Sequence, residues 1–152
     1  GAGIVRMSAG FLEFDDEGML YQVPAARATE ARPQVLGLSG LEVSSGRNLY
    51  EHPAGAGLMR VLQAMPSGSA PYRRIQQIRV IQPDYLELTF ASPALLVKVD
   101  PASFPDKVLQ LVALLRRSGD RPVSYIDFRF RQNVIAYAPQ KETGAGKEKF
   151  SR

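Results

Sequence analysis

Residues 125–137 read YIDFRFRQNVIAY, Tyr125 to Tyr137, and their pattern decides the fold class. Ile126, Phe128 and Phe130 alternate with Tyr125, Asp127 and Arg129, the period of a strand with one buried face. Arg131-Gln132-Asn133 interrupts the apolar run, and Asn133 tolerates the positive φ that a tight turn asks for. Val134-Ile135-Ala136-Tyr137 predicts the return strand. Pro139 ends it, because proline cannot donate to a ladder. The folded region therefore closes on an apolar strand, either inside a sheet or at its edge. Ile126, Phe128 and Val134 read as core. For Phe130, Ile135 and Tyr137 strand parity leaves core and interface equally open.

Upstream, the pattern predicts a domain with more strands than helices. Residues 11–14 and 19–23 flank Asp15-Asp16-Glu17-Gly18, a hairpin signal with Gly18 in the turn. The three acids read as a solvated turn, since a calcium loop needs a longer alternation of ligands. Residues 33–40 are punctuated by proline and glycine and read as a turn tucking Val35, Leu36 and Leu38 inward. Residues 44–50 read as loop. Leu58, Val61, Leu62 and Met65 recur at helical spacing, so a helix is expected over 53–65 and stops at Pro66. Residues 67–71 are a linker. Residues 74–81, with Ile78, Val80 and Ile81, the alternating residues 85–90 and residues 94–99 predict an antiparallel meander, with turns at Gln82-Pro83-Asp84 and Ala91-Ser92-Pro93. Phe104, Val108, Leu111, Val112 and Leu115 form the stripe of a helix over 104–117, with Ser103 and Asp106 spaced as a capping box. The expected fold is α+β: a mostly antiparallel sheet with helices on one face, closing on a C-terminal hairpin.

The chain has 152 residues, enough for one domain with its own core. Gly1-Ala2-Gly3 is bland, and residues 1–10 are expected to be a vector remnant or linker. Residues 11–139 form the domain, and 140–152 a disordered charged tail without apolar periodicity. With no cysteine, disulfide and thiolate chemistry are excluded. No apolar run is long enough to span a membrane. The formal net charge of +4 permits acidic partners without naming one.

Residues able to carry catalysis are sparse. His52 is the single histidine, so any Ser-His-Asp arrangement has to use it, and zinc lacks ligands. Gly144-Ala145-Gly146-Lys147 resembles the end of a phosphate-binding loop, but Lys141 stands at the first glycine and Glu148 at the Ser/Thr position. No metal or cofactor is expected, and the protein reads as non-catalytic. Arg73, Arg74, Arg79 and Arg131, near Tyr72 and Phe130, offer an alternative: a basic module for single-stranded nucleic acid or an anionic surface.

The hairpin residues Tyr125-Ile126-Asp127-Phe128-Arg129-Phe130, followed by Val134-Ile135-Ala136, resemble the closing hairpin of the FtsQ/DivIB bacterial cell-division proteins. That family reads there as aromatic, aliphatic, Asp, apolar, Arg, aromatic, then a small turn and an apolar strand. Residues 11–21 and Pro33-Gln34-Val35-Leu36-Gly37 are similar to family segments in the same order, although Arg32 replaces a leucine and the glycine comes one residue early. The helix at 53–65, the meander and the helix bearing Lys107 follow in family order, so the resemblance covers most of 11–138. It implies the extracytoplasmic β-domain of a non-catalytic divisome scaffold, acting at the septum. It also implies a membrane anchor and a POTRA domain outside this chain. The implied partners are membrane-anchored coiled-coil proteins of the FtsB/DivIC and FtsL types, one of which adds a strand beside the last strand. Matched residue by residue, the implied partner site is Arg129, Phe130, Gln132, Asn133, Val134, Ile135, Ala136 and Tyr137, with Arg129 facing a partner carboxylate. Arg131, Gln132 and Asn133 are bulkier than the small turn residues of the family.

Overall fold

The computed structural model describes residues 3–7, 10–24, 33–38, 44–65, 69–91, 94–116 and 123–137. They form a mixed α+β fold with a nine-stranded sheet and three α-helices. The strands are β1 (Gly3–Met7), β2 (Gly10–Phe14), β3 (Leu20–Gln22), β4 (Gln34–Leu36), β5 (Ile75–Gln82), β6 (Tyr85–Ala91), β7 (Ala94–Val99), β8 (Val123–Asp127) and β9 (Val134–Tyr137). The helices are α1 (Pro53–Ala64), α2 (Ala70–Arg74) and α3 (Val108–Arg116). Strand order across the sheet is β3-β2-β1-β4-β5-β6-β7-β8-β9, so β3 and β9 are its edges.

One row of side chains runs across the core face. Leu12, Val5, Val35, Ile78, Leu88, Val97, Ile126 and Ile135 stand opposite one another strand by strand, from β2 to β9. All but the last are buried. The cluster they belong to also takes Leu58, Met59, Val61 and Leu62 from α1 and Leu111 and Leu115 from α3. Each fully buried leucine there contributes about 1.5–3 kcal/mol relative to exposure. At the β3 end the row stops on Gln22, paired with Leu12. At the β9 end it stops on Ile135.

Parallel pairings make the sheet mixed. The hairpins β1–β2, β2–β3, β5–β6, β6–β7 and β8–β9 are antiparallel, whereas β1–β4, β4–β5 and β7–β8 are parallel. Residues 33–40, expected as a turn, contribute β4, a short strand between two parallel neighbours. Gly37 (φ 95°) then lets the chain leave, and a Cβ there would strike the carbonyl of Val80. The linker expected over 1–10 gives way to a strand at 3–7, where Ile4 and Val5 are both buried. Its three apolar residues, two of them adjacent, show no period.

Helix ends differ from expectation as well. The stretch over 104–117 divides into a 3-10 turn (Phe104–Asp106) and α3, and Ser103 makes no side-chain cap. A genuine capping box lies instead in the stretch expected to be loop: Asn48 Oδ1 accepts from Tyr50 N at 2.9 Å and Glu51 Oε1 from Asn48 N at 3.1 Å. The linker over 67–71 contains the start of α2. The turns at Ser92-Pro93 and the tail over 140–152 lie outside the described residues.

Candidate functional site

The strand β9 occupies an edge and carries apolar side chains into solvent. Val134 is 53% exposed, Ile135 41% and Tyr137 40%. Uncharged apolar side chains on an edge strand run against the usual protection of sheet edges by charge, proline or cover. In register, Ile135 lies opposite the buried Ile126, so it points to the core face; Val134, expected in the core, instead lies opposite Asp127 on the other face, because successive strand residues alternate sides. The face of Ile135, undecided by parity, is thereby fixed.

Backbone direction follows from one hydrogen bond. Phe128 N donates to Lys98 O at 2.8 Å, so Phe128 turns its backbone groups toward β7. Successive residues of a strand point to opposite neighbours. Asp127 and Tyr125 therefore face β9, and their partners Val134 and Ala136 face back. Ile135 sits between these two and directs its N–H and C=O out of the sheet. At the opposite edge the chain covers itself: Leu20 N donates to Arg47 O at 3.0 Å and Leu20 O accepts from Gly46 N at 2.8 Å.

The turn between β8 and β9 is held from both faces of the sheet. On the face away from the core, Asp127 Oδ1 accepts from Arg129 N and Nε, both at 3.0 Å, and Oδ2 from the Arg129 guanidinium at 2.8 Å. That guanidinium lies 4.0 Å from the Tyr85 ring centre and 5.2 Å from that of Phe130. Lys98 Nζ stands over Tyr85 and Tyr125, at 5.8 and 5.3 Å. The same face carries a cross-strand row Arg79, Glu87, Lys98, Asp127, alternating in sign over β5 to β8. The hydrogen bonds from Arg129 hold the Asp127 carboxyl below its usual range, against the opposing effect of burial. Lys98, whose ammonium donates toward the Tyr85 and Tyr125 hydroxyls, is raised, again against burial.

From the core side, Lys107 Nζ donates to Asn133 Oδ1 at 2.8 Å and to Phe130 O at 3.4 Å. Asn133 Nδ2 donates to Gln110 Oε1. Lys107 Nζ also lies 6.0 Å from the Phe128 ring centre. No described residue other than glycine has a positive φ, so Asn133 serves the turn through its side chain and not by a left-handed backbone.

The residues implied as a partner site are thus one contiguous unit, the β8–β9 turn and β9. Gln132 is exposed on that turn and Ala136 on β9. Phe130 leaves the strand alternation and is 57% exposed, because the turn has begun at Arg129. Arg129 is engaged by Asp127 within the chain, and its side chain stays 26% exposed. Sequence alone missed Tyr85, Lys98 and Gln110 as supports of this unit.

The four arginines of the alternative do not converge. Arg73 and Arg74 share the last turn of α2, where Arg74 caps the end of α3 by donating to Leu115 O at 2.9 Å. Arg79 stands in the charged row on β5, opposite Glu87. Arg131 lies on the β8–β9 turn, and β8 is three strand spacings from β5, on the order of 14 Å. His52 precedes α1, its carbonyl accepting from Ala56 N at 2.8 Å. Among the described residues no three of His, Cys, Asp or Glu gather as a metal site, and no helix is long and apolar enough to cross a membrane.

No protein-family model matches the chain, and neither a curated protein nor a solved structure matches it.

Proposed function

We propose that this chain is a non-catalytic interaction domain that binds a partner by strand addition at β9. The finer architecture belongs to this proposal: a mostly antiparallel sheet with helices on one face, ending in a hairpin that serves as a dock. The observation that carries it is the end of the core row. Seven buried apolar side chains lead across the sheet to Ile135, half-exposed, with its backbone groups directed outward. An added strand continues the ladder and places an apolar residue beside Ile135. The opposite edge ends the same row on Gln22 and has Leu20 covered. Growth of the sheet is therefore directed to one side.

The resemblance of the hairpin to FtsQ/DivIB proteins supplies the partner class: a membrane-anchored coiled-coil division protein of the FtsB/DivIC type, with FtsL beside it. The domain would then work outside the cytoplasm, at the septum. Amide hydrogen exchange over 129–137 tests this, with and without the extracytoplasmic segment of the FtsB/DivIC-type protein encoded in the same genome. Protection of the Ile135 amide on adding that segment is the expected result. An Ile135 amide already protected in the free domain, and unchanged by the partner, sinks the proposal.

A further inference from the structure

We propose that Lys107 is a positioning residue for strand addition, holding β9 in its receptive conformation before a partner arrives. The inference rests on the interaction-domain function proposed above. Three observations lead to it. The backbone of Lys107 is fixed at the start of α3, its carbonyl accepting from Leu111 N at 3.1 Å. Its ammonium group reaches two points of the β8–β9 turn, the Phe130 carbonyl and the Asn133 side chain. It closes the 3-10 turn Phe104–Asp106, its N–H donating to Phe104 O at 2.8 Å, so its backbone is set from both sides. Lys107 thus ties the start of α3 to the β8–β9 turn.

The bridge has a defined consequence. β9 has four residues, one neighbour in the sheet and four exposed side chains, so burial alone holds it weakly. Its entry point is Asn133, the residue just before Val134. Lys107 fixes Asn133 Oδ1, Gln110 takes its Nδ2, and the register of Val134 against Asp127 is set from there. A strand that is already ordered binds without a further ordering cost.

Lys107→Met keeps the chain length and removes the donors. In the free domain the Val134 and Ala136 amides, which face β8, are expected to exchange about tenfold faster, with β5 to β7 unchanged. Affinity for the recombinant FtsB/DivIC-type segment is expected to fall about tenfold, and Lys107→Arg to restore both. Unchanged exchange in β9 overturns the proposal. Faster exchange in β5 to β7 as well overturns it too, by assigning Lys107 to global stability. If the wild-type domain does not bind the segment, the proposed function fails, and the exchange comparison still judges whether Lys107 fixes β9. Should Lys107→Met not fold, Asn133→Ala cuts the same bridge from the turn and is read in the same way.

Discussion

Asp127 is 3% exposed and keeps its charge because Arg129 supplies three donors to it. A buried carboxylate without those donors is costly, about 1–3 kcal/mol for the unsatisfied group. Its folded pKa is depressed from the ordinary 3.8, so the pair's contribution is whole above that value. It is lost as pH falls through the lower, folded value. Asp127→Asn is expected to lower stability by about 1–3 kcal/mol at pH 7 and to flatten the acid limb of the stability curve. Urea titrations between pH 7 and pH 2 check both; an unchanged acid limb means that Asp127 does not govern it. The alternation of residues 125–130 was legible as far as Phe128. Phe130 was not, because nothing in its own side chain marks where strand becomes turn.

At the scale of the element, the direction of the β9 amides separates two substitutions that look alike. Proline removes an N–H and is tolerated in a strand where that N–H faces away from the ladder. Ile135→Pro is expected to leave the domain folded, with a native circular dichroism spectrum, and to abolish binding of an added strand. Ala136→Pro removes a group facing β8 and is expected to fray the hairpin, with amide exchange in β9 rising tenfold or more. Equal effects of the two on the free domain would place the Ile135 amide inside the ladder. The meander and α1 were legible because their apolar residues hold a period over many positions. β4 was not: three residues cannot establish a period, and its strand character comes from the parallel neighbours on either side.

For the molecule as a whole, one apolar cluster joins the sheet to α1 and α3, so core damage is felt throughout. Leu58 in α1 is fully buried within it, and Leu58→Ala is expected to cost about 2–5 kcal/mol. With no tryptophan in the chain, intrinsic fluorescence reports on its six tyrosines, and far-ultraviolet circular dichroism on the secondary structure. Both are expected to show the same lowered midpoint; separate transitions would divide the core in two. By itself, the sequence determined the α+β class, the antiparallel hairpins, α1 and the apolar character of the last strand. These rest on local periodicity and on turn residues, which a chain carries in its own order. Only the tertiary structure decided that β9 is an edge, that Ile135 turns its backbone outward, that Arg129 is engaged by Asp127 and that Lys107 reaches the turn. Each of these depends on which distant strand or helix lies alongside, a matter of pairing between segments and not of pattern within one.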